Sequence, residues 1–137
     1  MSILENFTET TYSYNLREPS TLDEIDEIVV GSTTTHIFEV PFKYSEVVDG
    51  LEIIYKQGFN VILVKNESNV SVEEIERPCD HRWKSIITLV LPPEDTELFG
   101  RTYMDTYVQI KIYSKENETL YTNKSPIKVV FPLDIGE

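Results

Sequence analysis

Histidine is the side chain that most often serves as a general base near neutral pH, and the sequence holds two, His36 and His81. His36 follows three threonines within a predicted strand, a setting typical of a structural histidine whose ring nitrogens are hydrogen-bonded or solvated. His81 lies in a polar segment that matches no catalytic motif. Since neither histidine stands in the context of a nucleophile, we expect a protein without catalytic residues, one that is not an enzyme.

Metal-binding residue types occur together at Cys79, Asp80 and His81. Adjacent residues of an extended chain point apart, whereas a zinc site needs about four converging ligands, and the sequence has no second cluster of this kind. The acidic run from Asp23 to Glu27 lacks the spaced oxygen ligands and the central glycine of a calcium-binding loop, and no glycines form a phosphate-binding motif. We therefore expect no metal ion and no cofactor.

Tyrosines recur in a strand-like pattern between residues 106 and 114. Tyr107 and Tyr113 share one face of this segment, and the aliphatic residues of the other face are Val108, Ile110 and Ile112. Together with Tyr103 they form a candidate surface interface, either with another protein or, as stacking platforms, with a carbohydrate. Trp83, which is flanked by two basic residues, either anchors the core or stacks on a sugar.

The elements that must position these residues are short strands separated by turns. From residue 28 onward, β-branched and aromatic residues dominate short runs, with no amphipathic helix between them. The predicted strands are residues 33–42, 51–57, 61–65, 85–91, 106–114 and 125–131. We expect one helical turn over residues 93–99, and residues 66–82 hold either an edge strand or a loop.

The clearest local feature is a hairpin over residues 50–65, whose turn is Gln57-Gly58-Phe59-Asn60. Strands spaced by about ten residues and joined by hairpin-length turns are typical of immunoglobulin-like sandwiches. We therefore predict an all-β fold, an antiparallel immunoglobulin-like β-sandwich over residues 31–137 with an extended N-terminal arm over residues 1–30.

The first 30 residues have a composition of their own. Seven acidic residues against one arginine give this stretch a net charge of −6, half of the −12 carried by the whole chain. Its apolar residues follow neither the helical nor the strand period, as is typical of a segment that orders only against a partner. The predicted partner-binding residues of the arm are Ile3, Leu4, Phe7, Tyr12, Tyr14 and Leu16.

Charge and patterning argue against several partners. A net charge of −12 repels the phosphate backbone of nucleic acids. No run approaches the roughly 20 apolar residues of a transmembrane helix, and the N-terminus lacks the pattern of a secretory leader, so we expect no membrane partner and assembly in a cytosol. The single cysteine makes no internal disulfide, and the five Asn-x-Ser/Thr triplets reflect the abundance of these residue types rather than glycosylation.

Several segments in a fixed order carry a resemblance to a known family. They are the threonine-rich strand Thr34 to Phe42 ending in Val-Pro-Phe, the alternating strand Ile53 to Gln57 ending in Tyr-Lys-Gln, the apolar strand and acidic corner Leu89 to Thr96, and the strands Val108 to Ile112 and Ser125 to Val129. From Thr34 onward, the chain resembles small proteins encoded among the structural genes of tailed bacteriophages that infect gut and Gram-positive bacteria. Pro92 and Pro93 depart from the family's pattern, and the acidic arm is longer than its usual start.

The resemblance implies a virion component without assigned catalytic residues. We therefore expect a non-enzymatic structural protein, a module attached to the capsid, neck or tail through its arm, oligomeric in the particle and bound to other virion proteins. The alternative is a carbohydrate-binding module of a phage tail or host-interaction protein.

Overall fold

Two β-sheets packed face to face form the fold. The computed structural model describes residues 13–14, 26–100 and 105–132, and the predicted all-β sandwich is confirmed in them, since helix is limited to single turns. Within these ranges no helix has the length and apolar character needed to span a bilayer.

The predicted strands are all present, and residues 66–82 hold an edge strand rather than a loop alone. The strands of the described residues are β1 (Ser13–Tyr14), β2 (Asp26–Val29), β3 (Thr34–Val40), β4 (Val48–Gln57), β5 (Asn60–Asn66), β6 (Val70–Glu76), β7 (Trp83–Leu91), β8 (Thr106–Ser114), β9 (Thr119–Thr122) and β10 (Ser125–Val130). The helical turns are α1 (Tyr44–Val47) and α2 (Pro93–Thr96), and a 3₁₀ turn covers Glu67–Asn69.

The centre of the larger sheet is β8. It pairs antiparallel with β4 along its whole length, from Thr106 opposite Gln57 to Ser114 opposite Val48. On its other side, β10 pairs with the first part of β8 and β9 with the last part. The sheet continues beyond β4 with β5, and beyond β9 and β10 with the parallel strands β1 and β2. The smaller sheet has the order β3-β7-β6, with antiparallel pairing.

The core lies between the sheets because alternate residues of each strand point inward. The buried side chains of β4 and β8 include Leu51, Ile53, Tyr55, Val108, Ile110 and Ile112. Those of the smaller sheet include Phe38, Val40, Ile87, Leu89 and Leu91. The residues between them face outward, on the side of each sheet that faces away from the other sheet.

The strand β2 belongs to the sandwich, although it lies within residues 1–30, which the sequence analysis assigned to the arm. It pairs in parallel with β10, and Ile28 and Val30 are buried in the core. The acidic residue Glu27, which directly precedes Ile28 in the strand, is exposed. The acidic composition therefore marks the solvent side of a strand here and does not prevent pairing.

Side-chain hydrogen bonds fix the loops at one end of the sandwich. The amide of Gln57 donates from Nε2 to the carbonyl of Gly100 at 2.9 Å and accepts from the backbone N–H of Gly100 at 3.1 Å. The hydroxyl of Thr96 accepts from the N–H of Gly31 at 3.1 Å and lies 2.8 Å from the carbonyl oxygen of Ser32. These bonds hold the β7–β8 connection to the end of β4 on one side and to the β2–β3 connection on the other.

Candidate functional site

The outer face of the larger sheet carries two of the tyrosines singled out in the sequence. Because alternate residues of β8 point into the core, Tyr107 and Tyr113 point outward, as their spacing predicts. Tyr107 is partly buried, and 37% of Tyr113 is exposed. The third predicted interface residue, Tyr103, lies outside the described residues.

A lysine lies between Tyr113 and a further tyrosine, Tyr121 of β9. Lys111 is opposite Tyr121 in the β8–β9 pair, and its Nζ lies 5.1 Å from the ring centroid of Tyr113 and 5.8 Å from that of Tyr121. Both distances are within the range of cation–π contacts. The pKa of the Lys111 ammonium is raised above its ordinary value, chiefly by its interaction with the Tyr113 hydroxyl. We call the surface formed by Tyr107, Lys111, Tyr113 and Tyr121 the tyrosine face.

Hydrogen bonds orient the two tyrosines of β8. The hydroxyl of Tyr113 donates to Oε1 of Glu52 at 3.3 Å, across the β4–β8 pair. The hydroxyl of Tyr107 donates to Oδ2 of Asp105 at 3.0 Å. This bond, together with the negative charge of Asp105, raises the pKa of the Tyr107 phenol, which therefore stays neutral. Both rings are thus held on the face in defined orientations.

A cation lies over two of the three rings of the tyrosine face. A sugar ring stacks on an open aromatic face, and here the Lys111 ammonium lies over the rings of Tyr113 and Tyr121. A sugar would have to displace the lysine and lose both cation–π contacts. Tyrosine is enriched at protein interfaces because it combines a large apolar ring with a polar tip.

Tyr121 and Lys111 are residues of this face that the sequence analysis did not single out. After the turn at residues 115–118, the next predicted strand began at residue 125, so β9 was missed. The available signal is the alternation of Thr119–Thr122, in which Leu120 and Thr122 are buried and Tyr121 is exposed. Four residues are too few for such a pattern to stand out from turn sequence.

Most of the predicted arm residues lie outside the described part of the chain, namely Ile3, Leu4, Phe7, Tyr12 and Leu16. The backbone of Ser13–Tyr14 forms β1, which pairs in parallel with β9. In this register Ser13 is opposite Tyr121, so the backbone of β1 lies at the border of the tyrosine face.

The histidine of the first predicted strand, His36, is hydrogen-bonded through both ring nitrogens. His36 is buried, and its Nε2 lies 2.8 Å from the carbonyl oxygen of Glu27 while its Nδ1 lies 2.7 Å from the hydroxyl of Tyr55. Because a carbonyl oxygen only accepts, a neutral ring carries its proton on Nε2, and Nδ1 accepts from Tyr55. His36 therefore connects β2, β3 and β4 inside the core.

The other residues considered for metal or sugar binding lie near the β6–β7 connection. Cys79 is exposed, and Nδ1 of the exposed His81 lies 3.2 Å from the carboxylate of Glu76. In the described part of the chain, no three metal-binding side chains come together. Trp83 is partly buried, and the Lys43 ammonium lies 4.3 Å from its ring centroid, so a cation covers this ring as well.

Comparisons with known proteins do not identify a family for this chain. No family model matches the chain, and no curated protein matches it. Among solved structures, the crystal structure of Rst D1-D2 is similar, with 18% sequence identity, a TM-score of 0.37, and coverage of 86% of this chain and 50% of that one. The chain thus spans about half the length of that structure, and at this TM-score the likeness carries no inference about function.

Proposed function

We propose that the chain is a non-enzymatic structural protein of a bacteriophage virion, a β-sandwich module that contacts neighbouring proteins of the capsid, neck or tail. The contacts are made by its N-terminal residues and by the tyrosine face. The virion assignment rests on the sequence resemblance from Thr34 onward. The observation that supports a protein-binding role is the position of Lys111 between the rings of Tyr113 and Tyr121 on an open sheet surface.

The chemistry of the tyrosine face defines what it contacts. The Lys111 ammonium lies over two of the rings, and the hydrogen bonds of Tyr107 and Tyr113 hold their rings in place before any partner binds. Such preorganised side chains lose little conformational entropy on binding. A partner surface with carbonyl or carboxylate oxygens opposite Lys111 and apolar groups opposite the rings fits this face.

The strand β1, the described part of the N-terminal segment before β2, lies next to the same face. Because β1 pairs with β9 and Ser13 is opposite Tyr121, a partner that binds the segment before β1 also meets the tyrosine face. The segment before β1 contains Glu5 and Glu9 and no basic residue, so its partner surface should be basic. Two contiguous contacts of different character would attach a small domain more tightly than either contact alone.

Incorporation into particles tests the proposal. Tyr113→Ala and Tyr121→Ala remove exposed rings from the tyrosine face, and Ile37→Ala removes a comparably exposed side chain from the outer face of the smaller sheet. We expect the two tyrosine variants to lower the occupancy of the protein in purified phage particles at least about tenfold, as loss of an interface aromatic does. The Ile37→Ala variant should be incorporated normally. Normal occupancy of both tyrosine variants would refute the role of this face, and absence of the wild-type chain from particles would refute the virion assignment.

Carbohydrate binding makes a different prediction on the same residues. If the face were a sugar platform, Lys111→Ala would uncover the two rings and strengthen binding on a glycan array, and Tyr107→Ala would weaken it. We expect no glycan signal from the wild-type chain or from either variant. A signal that follows this pattern would favour the carbohydrate-binding alternative.

A further inference from the structure

The strand β5 forms an open edge of the larger sheet. Among the described residues it pairs only with β4, so the backbone groups along its other side have no strand partner there. Exposed apolar side chains lie along this edge, with 56% of Val61 and 47% of Val64 accessible, and 89% of Phe59 accessible in the adjoining turn. An edge of this kind is a template for pairing with another strand.

The edge strand β5 has one irregularity in its pairing with β4, next to Tyr55 and Lys56, and little other protection against pairing. A lysine that reaches over an edge normally blocks pairing, but Nζ of Lys65 lies 2.7 Å from Oδ2 of Asp95 and both side chains are largely buried. The strand contains no proline. By contrast, the edge strand β6 of the smaller sheet carries three glutamates, Glu73, Glu74 and Glu76, which repel a second copy of themselves.

Charge indicates which partner the β5 edge suits. Residues 57–66 contain no acidic residue in a chain whose net charge is −12. Two copies of the chain repel each other over most of their surfaces, and contact through this segment brings no carboxylates of the two strands together. An antiparallel pair of identical strands is also self-complementary, because each strand supplies the same donors and acceptors to the other about a twofold axis.

We propose that β5 pairs antiparallel with β5 of a second copy of this chain, so that two sandwiches form a dimer with one continuous sheet. The inference goes beyond the proposed function and does not depend on the virion assignment. A contact limited to one strand of each copy lies below the roughly 1,200 Å² of buried surface that stable complexes reach. The dimer is therefore weak and forms at high protein concentration, and added salt strengthens it by screening the repulsion between the acidic chains.

A matched pair of substitutions in the full chain tests the dimer. Val64→Lys places a charge on the β5 edge, and Val90→Lys makes the same change at a valine of similar exposure, 51%, on the outer face of the smaller sheet. In sedimentation equilibrium over a wide concentration series, we expect Val64→Lys to lower the association constant at least about tenfold. The Val90→Lys chain should associate like the wild type. A wild-type chain that stays monomeric throughout, or equal effects of the two substitutions, would overturn the proposal.

Hydrogen–deuterium exchange identifies the surface independently of any variant. Exchange of the backbone amides of residues 60–66 should slow as the protein concentration rises, while that of β6 stays constant. Dimerisation without any change at residues 60–66 would contradict the assignment. The proposal would also be contradicted if the amides on the unpaired side of β5 were protected in a monomer, to the same extent at every protein concentration. Another segment of the same chain would then occupy the edge.

Discussion

The imidazole of His36 and the phenol of Tyr55 stack inside the core with ring centroids 5.7 Å apart, and Nδ1 lies 2.7 Å from the hydroxyl. The two residues belong to different sheets, β3 in the smaller and β4 in the larger. Through Nε2, His36 also holds the backbone of β2 at Glu27. This polar pair thus links the two sheets, and through His36 it also holds β2.

We predict that His36 and Tyr55 contribute to stability as a unit. His36→Leu should lower the free energy of unfolding by about 1–3 kcal/mol, because the Tyr55 hydroxyl in the core and the Glu27 carbonyl both lose their partner. Tyr55→Phe should lower it by about 1–2 kcal/mol, since Nδ1 loses the hydroxyl. Because both single variants break the same hydrogen bond, the double variant should be less destabilised than the sum. Urea denaturation of the four chains measures these values, and strictly additive effects would show that the two side chains are not coupled.

The strands that dominate the sandwich were predictable from sequence because their signal is local. The alternation of β8 and the hairpin of β4 and β5 follow from side-chain period and turn residues. The short strands β2 and β9 were not predictable, since only pairing with β10 and β8 gives four residues a strand conformation. The partners of His36 depend on how two sheets pack, which no local pattern encodes.

In the tyrosine face, too, some positions follow from local sequence and others depend on how strands pair. The spacing of Tyr107 and Tyr113 placed them on one face, because two residues separated by an even number of positions in a strand point the same way. The contribution of Tyr121 depends on the register of β9 on β8, which sets it opposite Lys111. Since a shift of one residue in that register would turn Tyr121 toward the core, sequence alone could not assign it to this face.

Substitution by alanine should destabilise one buried serine position strongly and leave a second one nearly unchanged. The hydroxyl of Ser85 donates to the carbonyl of Phe42 and accepts from the N–H of Tyr44, both at 2.8 Å. The hydroxyl of Ser125 is buried with no hydrogen-bond partner among the described residues. We expect Ser85→Ala to cost about 1–3 kcal/mol, because two backbone groups lose their partner, and Ser125→Ala to change stability by less than about 0.5 kcal/mol. Thermal unfolding of both variants checks this, and equal losses would contradict the assignment.

Two carboxylates should make the stability of the fold depend on pH in the acidic range. Glu67 accepts hydrogen bonds from its own backbone N–H and from that of Leu51, and these bonds lower its pKa below the ordinary 4.5 of a glutamate. Glu74 accepts from the N–H of Ser45 at 2.6 Å, and its pKa is lowered from 4.5 in the same way. A lowered pKa in the folded state means a contribution that is complete above the unfolded value and is lost as the pH falls through the folded value.

The measurement compares the wild type with Glu67→Gln and Glu74→Gln by urea denaturation from neutral pH down to about pH 3. Each variant keeps an acceptor oxygen but loses the charge, so its deficit should be greatest above pH 4.5 and shrink below that value. Glu73→Gln is the control, because Glu73 is exposed on the same strand as Glu74 and its side chain makes no hydrogen bond or ion pair with the described residues. If the difference in the free energy of unfolding between the wild type and each variant stayed constant with pH, the hydrogen bonds would stabilise the charged and the neutral carboxyl group equally.

The turn between β8 and β9 should control the geometry of the tyrosine face. Asn117 adopts a positive φ of 64°, and its N–H donates to the carbonyl of Ser114 at 3.1 Å. Glycine adopts this conformation without cost, whereas a β-branched residue is strained there. We expect Asn117→Gly to unfold within about 0.5 kcal/mol of the wild type and Asn117→Val to lose about 1–2 kcal/mol.

The structural consequence of this strain is measurable at Lys111. Because the turn sets the register of β9, the valine variant should shift Tyr121 away from Lys111 and weaken the ring-current shift of the Lys111 side-chain protons in NMR spectra. The glycine variant should keep that shift, which separates the effect of backbone strain from that of losing the asparagine side chain. If the valine variant retained both the stability and the ring-current shift of the wild type, the register of β9 would have to be fixed by its pairing with β8 and β1, independently of the turn.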